Sequence, residues 1–120
     1  MTGVLVISHG SRLPETIKEI KVLCAAIKKQ SRLAIVEYAF LELAPPDIAE
    51  GITICVRKGA SKVIILLNFL NAGLHVNKDI PGIVHQSRRQ HPKVKIVISG
   101  PIGQHKGIPK LFVDVIKKNK

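Results

Sequence analysis

Four times along this chain a short run of aliphatic, often β-branched residues gives way to a longer stretch whose apolar residues recur three and four apart. The runs are Gly3 to Ser8 (GVLVIS), Ala34 to Leu41 (AIVEYAFL), Val63 to Leu67 (VIILL) and Val94 to Ser99 (VKIVIS). The stretches between and after them carry Ile17, Ile20, Cys24 and Ile27, then Ile48, Ile52, Cys55 and Val56, then Ile80 to about Gln90, and last Leu111, Phe112, Val115 and Ile116. Runs of the first kind suit strands and stretches of the second kind suit amphipathic helices. Strands separated by a helix each time pair in parallel, because the helix provides the crossover that parallel pairing requires. The pattern therefore predicts an α/β fold: a flavodoxin-like parallel sheet of four strands with flanking helices.

Local chemistry supports these boundaries. Pro14 stands where the first helix begins and Lys28 and Lys29 where it ends, as the helix dipole favours. Asp47 is placed to cap the second helix and Gly59 to stop it. Asp79, ahead of Ile80 and Pro81, is read as the cap of the third, which His91 and Pro92 close. Gly100 to Gly107 is a glycine-rich loop before the last helix, Ile108 to Lys118. No linker, composition shift, low-complexity segment or repeat interrupts the alternation, so residues 1–120 read as a single domain.

Composition narrows the class. Apolar residues make up 46% and aromatics only 3%, so the core is expected from Ile, Val, Leu and Ala. No apolar run approaches the roughly 18 residues of a membrane span. Met1-Thr-Gly leads into a short apolar run with no basic segment or cleavage site, which predicts a cytoplasmic protein. Cys24 and Cys55 lack CxxC spacing and read as reduced core residues. The formal charge of +11 and pI near 10.1 imply an anionic partner. A small polyanion fits better than nucleic acid, for which the chain lacks aromatic interleaving and any helix-turn-helix, zinc-finger or RNP pattern.

In the strand order 2-1-3-4, the crevice that binds ligands opens at the carboxyl ends of strands 1 and 3. His9 follows the first of these at once and His75 follows the second within a short loop. Two imidazoles at one crevice could share a divalent metal, act as general bases, or both. A single loop histidine would more often be an ordinary polar residue, and His85 and His91, beside a helix rich in Gln and Arg, are read as solvated. His105, in the loop after strand 4, could rim the crevice. Glu42, at the end of strand 2, could assist with protons or metal, or simply be exposed. Ser11 lies beside His9 without the GxSxG elbow of a nucleophile. The glycine-rich loop lacks the Walker Lys-Ser/Thr and the GxGxxG spacing.

These residues together carry a resemblance. His9-Gly10-Ser11-Arg12, Phe40-Leu41-Glu42-Leu43 with Pro46, Phe69 to His75 with Asp79-Ile80-Pro81, and Gly100-Pro101-Ile102-Gly103 resemble the small CbiX-type sirohydrochlorin chelatases of archaea. The likeness spans nearly the whole chain, and the HGSR and FLxxGxHxxxDIP blocks in that order are specific. It implies a class II chelatase that inserts Co2+ into sirohydrochlorin for cobalamin biosynthesis, with related members using Ni2+ for coenzyme F430 or Fe2+ for siroheme, and no organic cofactor. His9 matches the family's proton acceptor and metal ligand, and His75 its second metal ligand. Leu70, Asn71, Ala72, Gly73, Leu74 and His75 match the tetrapyrrole-binding loop, and Pro45 a position of substrate contact that is often polar or charged. Asn68 stands in place of a frequent proline. The short members are homodimers, which suits a chain too small for a deep cleft of its own.

The expected function is thus metal chelation by sirohydrochlorin, a polycarboxylate tetrapyrrole that a basic protein attracts. Two other classes stay open: a tetrapyrrole or metal carrier, which would bind stoichiometrically without turnover, and a basic nucleic-acid-binding domain. The latter would show steep salt dependence on oligonucleotides and indifference to His75 substitution.

Overall fold

The computed structural model describes residues 1–73 and 78–120. Its four strands are β1 (Thr2–Ser8), β2 (Ile35–Phe40), β3 (Lys62–Leu67) and β4 (Lys95–Pro101). They form one parallel sheet in the order β2-β1-β3-β4. Val4 stands opposite Val36 on one side and Ile64 on the other, and Ile64 opposite Val97. The central position of β1 explains why Gly3 to Ser8 is an unbroken apolar run: every residue in it is buried.

Alternation along each strand sends side chains to two layers. Leu5, Ile7, Ala39, Val63 and Ile65 pack with Ile48, Ile52 and Cys55 of α2 (Ile48–Arg57) and Ile80 and Val84 of α3 (Ile80–Gln90). Val4, Val6, Val36 and Phe40 face the other way, onto Ile20 and Cys24 of α1 (Pro14–Ser31). Two helices thus cover one face, while on the opposite face α1 covers the β1–β2 half. On that opposite face Ile64 and Leu66 of β3 stay only partly buried.

The helix signals act as chemistry dictates, with one exception. Asp47 accepts a hydrogen bond from the Glu50 amide at 2.8 Å and Glu50 reaches back to the Asp47 amide at 3.2 Å, forming a capping box. Gly59 follows α2 with φ of 108°. Asp79, expected to cap α3, occupies the N-cap position with helical dihedrals and makes no side-chain capping bond, because the chain is already wound before Ile80. His91, expected to be solvated, is half-buried with Nε2 3.3 Å from Thr53 Oγ1 of α2, while His85 is exposed.

A register irregularity between Ile65 and Leu67 lets β4 run on to Pro101. Arg88 of α3 donates from Nε and Nη2 to the Ile96 carbonyl of β4, at 3.2 and 2.7 Å. A single 3-10 turn, Ile102–Gln104, follows, and then α4 (Ile108–Lys118). Expected to flank the sheet, α4 instead has no buried residue. No described helix is long and apolar enough to cross a membrane.

Candidate functional site

With β1 between β2 and β3, the chain leaves the sheet in opposite directions on either side of β1, and the carboxyl end of β1 marks the switch point. Hydrogen bonds knit the three strand ends there. The Leu41 amide donates to the Ser8 carbonyl at 2.9 Å, the Glu42 amide to the His9 carbonyl at 3.0 Å, and the Asn68 amide to the Ile7 carbonyl at 2.8 Å. Asn68 also donates through Nδ2 to Ser8 Oγ at 3.1 Å, fastening β3 to β1 above the last ladder pair. Sequence reading noted Asn68 only as a departure from proline. Its signal was the register, since Ile7 pairs with Leu67 and the next residues, Ser8 and Asn68, must then meet.

His9 and Glu42 converge on this edge. Nε2 of His9 lies 2.8 Å from Oε1 of Glu42, with both side chains half exposed. Backbone shape brings them together. Gly10 has φ of 116°, and a Cβ there would run into the Glu42 carbonyl, so only glycine lets the two loops approach. Past Glu42 the chain turns sharply: Leu43 has φ of 72° and the Ala44 amide donates to the Glu42 carbonyl at 2.9 Å. Pro45, exposed, follows, joined to Pro46 by a cis peptide bond, and the Pro46 carbonyl accepts from the Phe40 amide at 2.9 Å.

The remaining expected residues divide by place. Ser11 Oγ accepts from the Leu13 amide at 3.0 Å, which shapes the entry to α1. His105 Nδ1 accepts from the Gly107 amide at 2.8 Å and lines a recess with Leu66, Ser99 and Gln104, a different place from the His9–Glu42 pair. Leu70, Asn71, Ala72 and Gly73 are exposed beyond β3. The start of their loop is held from β4: the Gly103 amide donates to the Phe69 carbonyl at 3.0 Å, and Gly103 lies so close to the Leu70 carbonyl that a side chain would collide with it. Leu74 and His75 lie outside the described residues.

Chemically, an imidazole nitrogen and a carboxylate oxygen 2.8 Å apart are bonded to each other, as a hydrogen bond or, with the imidazole protonated, an ion pair; both are also donor types that ligate divalent ions. Among the described residues, no third His, Cys, Asp or Glu joins them. The two thiols are not candidates. Burial, with the Glu37 carboxylate second, raises Cys24 to about 11 and Cys55 to about 12, so both stay protonated.

Comparison with known proteins identifies the family. The chain is 35% identical over 118 residues to the sirohydrochlorin cobaltochelatase of Sulfolobus acidocaldarius, covering 98% of this chain and 89% of that protein. It is 31% identical over 114 residues to the chloroplastic sirohydrochlorin ferrochelatase of Arabidopsis thaliana, covering 95% of this chain but 49% of the relative. Among solved structures, the sirohydrochlorin chelatase SirB from Bacillus subtilis subspecies spizizenii in complex with cobalt superposes with a TM-score of 0.86 at 26% identity. That match takes in 98% of this chain and 50% of the other. The chain therefore spans about half the length of several relatives and nearly all of the Sulfolobus protein. The CbiX family model matches residues 3–119, and the chain belongs to the CbiX family.

Proposed function

We propose that the protein is a sirohydrochlorin chelatase, inserting a divalent first-row metal into the macrocycle. The observation that carries the reading is the 2.8 Å approach of His9 Nε2 and Glu42 Oε1 at the switch point of the sheet. Metallation must take two protons from pyrrole nitrogens while the incoming ion sheds water. Groups that can both ligate and accept protons are suited to that exchange, and an imidazole beside a carboxylate supplies two of them. His9 serves as ligand and proton acceptor, and Glu42 as its neighbouring ligand and proton outlet. His75 is the second imidazole, and residues 70–74 form the wall for the macrocycle. Pro45 offers ring surface at the rim. Ser11 and His105, each bonded within its own loop, stand as accessory residues beside the pair.

The net charge of +11 supports a polycarboxylate substrate. Cobalt is the metal we assign, on the likeness to the short Sulfolobus cobaltochelatase, with Fe2+ and Ni2+ as the competing ions. Imidazole and carboxylate do not discriminate strongly among these. A homodimer is the expected assembly, two copies making up the length of the longer relatives.

Mixing the protein with sirohydrochlorin and Co2+, Fe2+ or Ni2+ under anaerobic conditions, and following the change in macrocycle absorption, tests the reading. Acceleration over the uncatalysed rate is expected, fastest with Co2+. Stoichiometric binding without turnover would make the protein a carrier, and no acceleration with any metal would reject the enzyme.

A further inference from the structure

Helix α3 buries Ile80, Val84 and Ser87 and turns Gly82, His85, Gln86 and Arg89 outward in one stripe at helical spacing. These four, with Gln90, line an open groove of about 550 Å³. Between Asp79 and Asp114 the chain has no carboxylate, so α3 itself carries nothing that repels an anion.

Two residues on this face are not there for stability. Gly82 weakens a helix, and a Cβ added to it would meet nothing within 4 Å, so no packing requires it. A glycine on an outer face leaves the backbone bare for the close approach of another surface. Lys78 stands at the N-terminal end of α3, where the helix dipole disfavours a cation.

Further cations border the other end. Arg89 lies in the last turn, and Lys93 is exposed in the link to β4. His91 Nε2 lies 3.3 Å from Thr53 Oγ1, which draws the C-terminal half of α2 alongside α3. Arg57, exposed and one turn beyond Thr53, borders the same face. Glu50, on that side of α2, is turned back onto the Asp47 amide at 3.2 Å.

Chemistry selects among anionic partners. The outward stripe includes no Phe, Tyr, Trp, Leu or Ile, so it offers neither the stacking platform of a single-strand binder nor the apolar anchor of a membrane-surface helix or a protein interface. Gln, His and Arg present hydrogen-bonding groups that meet phosphates and base edges. A helix with its side chains is about 10–12 Å across and the major groove of B-form DNA about 12 Å wide, whereas the deep, narrow groove of duplex RNA shuts a helix out.

We propose that α3 is a docking helix for duplex DNA: Gly82, His85, Gln86 and Arg89 enter the major groove, while Lys78, Lys93 and Arg57 reach the phosphates beside it. Binding is electrostatic and sequence-tolerant, since four cations carry it and phosphates hold no sequence information. The stripe faces away from the sheet and shares no residue with the His9–Glu42 pair, so docking stands or falls apart from metal insertion.

Fluorescence anisotropy of a labelled mixed-sequence DNA duplex of about 20 base pairs, titrated with the full chain over a series of salt concentrations, tests this. Log affinity against log salt is expected to fall with a slope of about −3.6, the release of counterions from four phosphates. Arg89→Gln/Lys93→Gln should halve the slope to about −1.8, with circular dichroism and metal insertion unchanged. Lys28→Gln/Lys29→Gln, which removes the same charge from the last turn of α1, should leave the slope at its wild-type value. Gly82→Leu, filling open space on the helix, should raise the dissociation constant about 10-fold or more with the helix intact. His9→Ala should bind the duplex as the wild type does. An equal effect of the two Gln pairs would overturn the inference, because charge would then act without a site. So would duplex RNA or poly-glutamate bound as tightly as the DNA, a Gly82→Leu variant that binds unchanged, or no binding at about 25 mM salt.

Discussion

Two residues that lie 33 positions apart make the centre of the candidate site, and only one of them could be singled out firmly from the sequence. His9 stands directly after an unbroken apolar run, so its place at the carboxyl end of a central strand was readable. Glu42 was readable only as a carboxylate near a strand end. Its approach to Nε2 depends on the positive φ at Gly10 and Leu43 and on the turn closed by the Ala44 amide, which are loop geometries that periodicity does not encode. Replacing His9 by Ala should lower kcat/KM for metal insertion by about 100-fold or more, the usual worth of a positioned proton acceptor. Because the side chain is half exposed, the denaturant midpoint should barely move. Glu42→Gln keeps the shape and removes the charge. It should lower metal affinity, measured by titration calorimetry, by roughly 10–100-fold, and an unchanged affinity would leave Glu42 outside the metal shell. Gly10→Ala acts differently, forcing a Cβ into the Glu42 carbonyl at a backbone angle that side chains avoid. It should cost about 2 kcal/mol or more in chemical denaturation and lower activity as a consequence.

At the scale of elements, helix and strand identities followed from apolar spacing, and the errors have separate physical causes. The Asp47 cap is a local signal, two side chains and two amides within four residues, and it reads directly from sequence. Asp79 carries the same letter but sits in already helical backbone, where its carboxylate is not aimed at the free amides of the first turn. His91 was misplaced because its partner, Thr53, belongs to another helix. For α4 the stripe was legible but not what it packs on, since amphipathicity shows that a face needs cover and not which surface provides it. The layers facing the sheet also set a pH response. Cys24 of α1 and Cys55 of α2 are buried thiols raised to about 11 and about 12 from an ordinary 9.0. In the unfolded chain they lose their protons near pH 9.0, while the folded protein keeps them. Their contribution is therefore whole below that pH and is lost progressively as pH rises through the folded values. Comparing urea midpoints at pH 8 and pH 11, wild type should lose more stability than Cys24→Ala/Cys55→Ala does; equal losses would show that the thiols titrate normally.

Taken whole, the molecule is a sheet with one face fully covered and the other half covered, surrounded by a strong positive charge. The strand order places the candidate site at one end of this sheet; the sequence does not fix that order, and the flavodoxin-like order 2-1-3-4 was the condition under which His9 and the loop after β3 share one crevice, a condition the sheet meets. A parallel sheet of four strands also ends in two open flanks, β2 and β4. Each is a row of backbone donors and acceptors onto which another chain's strand could add itself. At β4 the Arg88 guanidinium already holds the Ile96 carbonyl with two hydrogen bonds, closing that acceptor to an incoming strand, and Pro101 at the end of β4 has no amide proton to offer. Arg88 tethers α3 to β4, and by occupying that acceptor it is expected to hinder strand addition at this edge. Arg88→Ala should leave metal insertion intact in fresh protein and yet hasten thioflavin-positive aggregation on prolonged warming, whereas Arg89→Ala, one residue along the same helix, should not.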